Sequence, residues 1–234
     1  MGRILALLLA LWLGGLPLLG AAPAALAEES AAAVLAGGCF WCLEHDLEGL
    51  PGVLAVESGY SGGRLDHPSY RQVSAGGTGH QESVRVHFDP TRLSYATLLR
   101  AYWRQIDPLD GGGQFCDRGD SYRPVIFTAD SQQGRLAQDS LAAAARELGR
   151  PVRELKVRIQ PLRAFWPAES YHQNYADREP LKYGYYRWAC GRDRRLDQLW
   201  GTNARRAIPW RGEPVDRHLP TAQGSADPVC SAQS

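Results

Sequence analysis

The sequence predicts a single α+β domain with a central mixed sheet, flanked by helices and joined by long irregular loops. Three observations predict it. Apolar periods of two residues and of three to four residues interleave between residues 31 and 159, the pattern of strands mixed with helices. The stretches between them are long and rich in glycine. A chain of 234 residues with 44% hydrophobic and 22% charged residues has the composition of one globular core. The balance of 26 Lys and Arg against 25 Asp and Glu lacks the basic surplus that a general nucleic-acid binder needs to meet phosphates. Five cysteines are too few for a disulfide scaffold.

The elements follow in order. Ala31 to Ala36 is a short apolar run ending in Gly37-Gly38, a buried strand entering a tight turn. Cys39 to Leu47 starts a helix that Gly49 and Pro51 stop. Val53 to Ser58 alternates as a strand, and Gly59 to Gly79 reads as a loop. Glu82 to Phe88 alternates strictly, with Val84, Val86 and Phe88 on one face. Ser94 is a natural N-cap for a helix carrying Tyr95, Leu98, Leu99, Tyr102, Trp103 and Ile106. After a Gly-rich loop from Leu109 to Tyr122 come a strand at Val125 to Thr128, a helix at Asp130 to Leu148 and a strand at Leu155 to Ile159. Beyond Trp166 the chain is aromatic-rich and irregular, with a short helix expected near Ser170 to Tyr175.

The ends read differently. Arg3, the apolar run Ile4 to Leu19 and Ala25-Leu26-Ala27 before Glu28 make residues 1–27 a secretory signal peptide, cleaved near Ala27. The alternative, an uncleaved anchor, is weakened by Gly14, Gly15 and Pro17 within a short run. The chain is therefore expected in the periplasm or outside the cell, without stable membrane association, where thiols meet an oxidising environment. The catalytic domain is expected over residues 28–202. Residues 203–234, with four Pro and little periodicity, form a poorly ordered tail.

Chemistry concentrates at Gly37-Gly38-Cys39-Phe40-Trp41-Cys42. A cysteine after a glycine turn, at the first turn of a helix, faces free backbone N–H groups that favour its thiolate. Buried structural cysteine is the competing reading, and thiol redox, metal binding and nucleophilic catalysis all stay open. Glu82 shares parity with the apolar face of its strand, so its carboxyl points coreward and its pKa should rise, which suits a general acid. The alternative is that Glu82 begins the strand and reaches water. Tyr70, Tyr122 and Asp117 lie in Gly-rich loops. His172 is either the base of a Cys–His pair or a plain helix-face residue. Cys39 and Cys42 lack a second ligand pair at matched spacing, so no metal is expected. Gly76-Gly77-Thr78-Gly79 lacks the Lys of a phosphate loop.

Several motifs in one order resemble the A-type peptide methionine sulfoxide reductases. They are Gly38-Cys39-Phe40-Trp41, Gly59-Tyr60-Ser61-Gly62-Gly63, Tyr70-Arg71-Gln72-Val73, Thr78-Gly79-His80-Gln81-Glu82, Asp117 to Arg123, and Pro167 to Gln173. The likeness covers about Ala33 to Tyr175. It implies a ferredoxin-like core and thiol-dependent reduction of methionine S-sulfoxide, protein-bound or free, in repair of oxidised proteins. Cys39 would be the nucleophile and Glu82 the acid, with Tyr70 and Tyr122 on the sulfoxide oxygen and Asp117 organising the site. Phe40 and Trp41 would wall the S-methyl group. No bound cofactor is implied; the reductant would be an external thioredoxin-type partner, replaced by dithiothreitol in vitro, acting on a monomer.

Attack would leave a sulfenic acid on Cys39, which condenses with a nearby thiol. The resemblance favours Cys190, which follows the aromatic segment and precedes Gly191, with Cys42 and Cys116 as alternatives and Cys230 as a passive tail thiol. Two other classes stay open. One is a thiol–disulfide oxidoreductase using Cys39 and Cys42, and the other is an aromatic binding module without turnover. The single methionine is Met1, so a processed chain would carry none to oxidise.

Overall fold

The computed structural model describes residues 30–201. The expected signal peptide, the tail from 203 onward and Cys230 lie outside them.

Strand β1 (Ala31–Ala36) runs through the turn Gly37-Gly38 into helix α1 (Phe40–Glu48). Strand β2 (Val53–Ser61), the short helix α2 (Tyr70–Ser74) and strand β3 (Gln81–Phe88) follow. Helix α3 (Tyr95–Trp103) starts at the expected N-cap, where the Ser94 hydroxyl accepts from the Thr97 N–H. A two-residue hairpin, β4 (Gly113–Gln114) and β5 (Asp117–Arg118), interrupts the Gly-rich loop. Then come β6 (Val125–Thr128) and α4 (Ser131–Glu147), whose N-cap Asp130 accepts from the Gln133 N–H. Strands β7 (Arg158–Pro161) and β8 (Phe165–Pro167) and helices α5 (Tyr175–Arg178), α6 (Pro180–Ala189) and α7 (Arg192–Trp200) complete the domain.

Six strands form one sheet in the order β7-β6-β1-β3-β2-β8. Every pairing is antiparallel except β6 with β7, so the sheet is mixed as expected. Within it, β1-α1-β2-β3-α3-β6 is the βαββαβ succession of a ferredoxin-like unit, with sheet order β6-β1-β3-β2. One sheet face packs Leu35, Val84 and Val86 against Leu43 and Leu47 of α1, Leu98, Leu99 and Tyr102 of α3, and Ala137 of α4. The other carries the smaller cluster of Val34, Ala36, Val125 and Phe127, covered by Leu162 and Phe165.

Three expectations differ from what the chain does. Strand β2 continues to Ser61, because Tyr60 pairs with both Glu82 of β3 and Trp166 of β8. Gly59 permits that pairing: a Cβ there would lie 2.4 Å from the Phe165 ring. The strand expected at Leu155 to Ile159 begins only at Arg158 and pairs in parallel with β6. The helix expected near Ser170 to Tyr175 forms later, at Tyr175–Arg178, and two further helices, α6 and α7, occupy the segment read as irregular.

Candidate active site

The β1–α1 turn places Cys39 at the N-cap of α1, where its carbonyl accepts from the N–H groups of Cys42 and Leu43. The turn needs glycine at position 38. Its φ is +86°, and a Cβ would stand 2.6 Å from the Gln114 Cβ. Gln114 cannot withdraw, since its amide holds the backbone of Asp107 through two hydrogen bonds of 2.8 and 2.9 Å.

Strand β3 brings Glu82 beneath the same helix start. Its Oε2 accepts from the Phe40 N–H at 3.1 Å, and the residue is 2% exposed. The coreward parity of Glu82 is thereby met. Desolvation raises its pKa to about 8 against the opposing pull of the Phe40 hydrogen bond, with Asp117 and Cys42 adding repulsion. At neutral pH the group holds its proton.

A small cavity of about 80 Å³ opens over this pair. Cys39, Phe40, Trp41, Tyr70, Glu82, Asp117, Tyr122 and Tyr186 line it. Seven of these eight side chains were expected in the site. Tyr70 is set there by Glu169, whose carboxylate accepts from the Tyr70 N–H at 2.9 Å and from the Tyr60 hydroxyl at 2.8 Å. Burial, with Glu82 and Cys39 nearby, pushes the Tyr70 hydroxyl up to about 12, and burial likewise raises Tyr122, so both stay protonated donors. Trp41 is clamped from two sides. Its ring stacks on Tyr175 at 3.7 Å, and its indole Nε1–H donates to His172 Nδ1 at 3.1 Å.

That hydrogen bond decides His172. The residue is buried, its Nδ1 is occupied by Trp41, and burial lowers its pKa, so it holds an aromatic wall in place. It is absent from the cavity lining and does not form the Cys–His pair considered above. His80 is also structural, its Nδ1 accepting from the Gly63 N–H and its Nε2 bonded to the Leu65 carbonyl.

The four cysteines among the described residues sort into two pairs. Cys39 and Cys42 are free, buried and hydrogen-bonded to each other. Burial, the bond to Cys42 and the carboxyls of Glu82 and Asp117 push the Cys39 thiol up, contrary to the lowered value expected from its helix position. Cys42 moves the other way, to about 7, through the hydrogen bond from Cys39 and the guanidinium groups of Arg192 and Arg187. The charge of the pair thus rests on Cys42, which is placed to take the Cys39 proton as Cys39 attacks. Beneath it, Arg187 meets Asp46 at 2.9 Å and Arg192 approaches the same carboxylate at 3.7 Å, all three nearly buried.

Cys116 and Cys190 are joined by a disulfide with a Cα–Cα separation of 4.9 Å across 74 residues of sequence. Asp117 links that disulfide to the cavity. Its carboxylate lies within 4.8 Å of both sulfurs and accepts from the Tyr186 hydroxyl at 2.5 Å. Tyr186, Arg187, Arg192 and Asp46 were not found from sequence. The only signal was local: Asp46 falls one turn beyond Cys42 on α1.

A thiol pair at a helix start, a protonated buried carboxyl and two tyrosine hydroxyls around an aromatic-walled cavity define a thiol-based oxidoreductase. The family model described as peptide methionine sulfoxide reductase matches residues 31–204, and the chain belongs to that family. It is 51% identical over 195 residues to peptide methionine sulfoxide reductase MsrA 2 of Caulobacter vibrioides, covering 83% of this chain and 98% of the relative. The relative of the same name in Rhizobium meliloti is 46% identical over 180 residues, 77% of this chain and 88% of its own. The solved structure of methionine sulfoxide reductase A of Corynebacterium diphtheriae superposes with a TM-score of 0.61 at 30% identity, over 65% of this chain and 76% of its own.

Proposed function

We propose that the chain reduces methionine S-sulfoxide, free or within oxidised proteins, to methionine, with Cys39 as nucleophile and Glu82 as acid. The observation that carries this reading is the shared cavity: one reactive sulfur, one protonated carboxyl and two phenol donors between two aromatic walls. A cavity this small admits the end of an extended side chain. Phe40 and Trp41 offer apolar contact to the S-methyl group, and Tyr70 and Tyr122 are donors for the sulfoxide oxygen. Cys39 passes its proton to Cys42 and attacks the substrate sulfur while Glu82 protonates the oxygen. The S–O bond breaks as the oxygen takes a second proton from Cys42 and leaves as water; a water then attacks the Cys39 sulfur, the bond between the two sulfurs breaks, methionine leaves and Cys39 is left as a sulfenic acid.

The sulfur nearest that sulfenic acid is Cys42, whose lowered pKa suits it to displace water and close a Cys39–Cys42 disulfide. Its contact with Cys39, and the bond that holds Cys190 to Cys116, move the resolving role from Cys190 to Cys42 in this reading. A thioredoxin-type dithiol restores the enzyme. The burial of both active-site sulfurs argues against a general thiol–disulfide oxidoreductase, which must present its sulfur to bulky partners. The reading extends to export of residues 28–202 by the leader read in residues 1–27, and to a monomer that repairs oxidised proteins.

The test is a single turnover. Fully reduced protein should convert one equivalent of a methionine S-sulfoxide peptide without any added cofactor, and peptide mapping should find Cys39 bonded to Cys42. Full activity in Cys39→Ser would overturn the reading.

A further inference from the structure

Away from the reaction site, helices α3 and α4 enclose a second cavity. Among the described residues it measures about 530 Å³, and Trp200, the last residue of α7, closes it with them. The reaction cavity holds about 80 Å³, whereas this one has the size that takes a small organic molecule.

Part of its wall is apolar. Leu136, Ala143 and Ala144 of α4 line it with Trp103 of α3 and Trp200. Both indole N–H groups donate elsewhere, Trp103 Nε1 to Ser140 Oγ at 3.0 Å and Trp200 Nε1 to the Ile106 carbonyl at 3.2 Å. What the two tryptophans offer to the cavity is therefore ring surface.

The rest of the wall is charged, and its sum is positive. Arg100, Arg104 and Arg146 stand against Asp139 and Glu147, which leaves one cation in excess. Arg104 is the deepest of them, at 3% exposure. A buried guanidinium needs acceptors for its five N–H donors. The Nη2 of Arg104 meets Glu147, but its buried Nε has no partner. The Glu147 side chain is itself 43% exposed, so water screens the carboxylate that Arg104 meets. Burial pulls the Arg104 pKa down, Glu147 opposes and Arg100 adds repulsion, with a net fall. Arg187 shows the contrast: also largely buried, it meets both Asp46 and Asp193, and its pKa rises. Arg104 is thus a buried cation with less negative charge around it than its burial calls for.

An anion in the cavity would supply the missing acceptor, and a cation would add to the repulsion. The two indoles select a flat apolar body behind the charge. We propose that the cavity between α3 and α4 binds an aromatic monocarboxylate, its carboxylate on Arg104 and its ring against Trp103 and Trp200. The site is separate from the thiol chemistry and does not depend on it.

The test is isothermal titration calorimetry of the full chain with indole-3-acetate as the probe. One equivalent should bind, with a Kd on the order of 0.1 mM. Tryptamine carries the same ring on an ammonium and should bind at least tenfold more weakly. Acetate carries the charge without the ring and should also bind at least tenfold more weakly. Ala143→Trp introduces an indole into the cavity from an exposed position of α4, so the fold should melt as the parent does. Its affinity for indole-3-acetate should fall at least tenfold. Arg104→Gln should lose the preference for indole-3-acetate over tryptamine; where that variant does not fold, Ala143→Trp and the ligand pair still give the answer. With dithiothreitol as reductant, saturating indole-3-acetate should leave the KM for a methionine sulfoxide within about twofold. No binding by the full chain, equal binding of indole-3-acetate and tryptamine, or full binding by Ala143→Trp would each overturn the site. So would competition with the sulfoxide, which would put the ring in the reaction cavity.

Discussion

The Phe40 N–H donates to Glu82 Oε2 at 3.1 Å, so the acid of the site is fastened to the helix start that displays the nucleophile. Strand β3 and helix α1 also pack Val84 and Val86 against Leu43 and Leu47, and this bond fixes the carboxyl beside Cys39. The bond favours the charged carboxylate, yet burial outweighs it and the net pKa rises to about 8. The same contact therefore positions the acid without discharging it.

The first prediction concerns pH and rate. Cys42 must be thiolate to accept the Cys39 proton, a state present above about 7, while Glu82 must be protonated, a state lost above about 8. The rate of the reductive step, followed by rapid quench in single turnover, should be bell-shaped with limbs near those values. Glu82→Gln should lower that rate by about 10² to 10⁴-fold and remove the alkaline limb. An alkaline limb retained in Glu82→Gln would assign it to another group.

The same carboxyl makes a prediction about stability. A Glu whose folded pKa lies near 8 stays protonated in the native state while the unfolded chain ionises from about pH 4.5 upward. Its favourable contribution is present below pH 4.5 and is lost as pH rises towards 8, by on the order of a few kcal/mol. Glu82→Gln, which cannot ionise, should therefore gain thermal stability relative to the parent as pH goes from 5 to 9. Parallel melting curves across that range would show that Glu82 is charged in the folded protein.

The third prediction separates the two buried thiols. In Cys42→Ser the sulfenic acid on Cys39 loses its nearest partner and should persist long enough to be trapped by a 1,3-dione probe, with one equivalent of methionine still released. Cys39→Ser should release none. Rapid formation of a Cys39–Cys190 bond in Cys42→Ser, at the parent's rate, would return the resolving role to Cys190.

The parts of this site that the sequence showed are those coded within one element or one loop. Period-two alternation in β3 aimed Glu82 at the core, and the glycine pair before Cys39 marked the helix start. Tyr70, Tyr122 and Asp117 were legible through motif resemblance, because local geometry says nothing about where loops converge. Helices α6 and α7 were not legible, for a physical reason. Amphipathic reading assumes that apolar residues face inward, whereas α6 turns Leu181, Tyr185 and Trp188 outward and α7 buries Arg192 beside Leu196. Tyr186 and Arg187 were lost with the helix that carries them. The Cys116–Cys190 bond joins residues 74 apart, and no local pattern distinguishes that pairing from the others five cysteines allow.

The fourth prediction tests the cations beneath Cys42. Arg187 and Arg192 both contribute to the lowered pKa of the thiol, and Arg187 also meets Asp46 and Asp193. Arg187→Gln removes the charge and shortens the side chain, so the Cys42 pKa should rise and closure of the Cys39–Cys42 disulfide at pH 7 should slow by about tenfold. Raising the pH to 9 should restore it, a rescue that simple loss of packing would not allow. Removing one partner of this buried cluster should also cost about 3 kcal/mol in stability, read by denaturant titration. A slow step that stayed slow at pH 9 would place the defect in structure.

The last prediction concerns Tyr186, the one cavity-lining residue not foreseen. Its hydroxyl donates to Asp117 at 2.5 Å, and through that bond a helix near the end of the described chain reaches a loop that lines the cavity. Burial raises the pKa of Asp117 while the Tyr186 hydroxyl and Arg192 oppose the rise, so the phenol favours the charged carboxylate. Tyr186→Phe leaves the ring in place and removes only the donor. Asp117 should then bind a proton more readily, and the field it imposes on Cys39 and Glu82 should weaken. The pKa of Glu82, read from the alkaline limb of the single-turnover profile, should fall, since one of the charges holding it up is gone. Loss of a buried hydrogen bond to a charged group is worth about 1.5 to 3 kcal/mol, so kcat/KM for the sulfoxide should drop by roughly 10 to 100-fold. An unmoved alkaline limb with the same loss in kcat/KM would confine Tyr186 to shaping the wall.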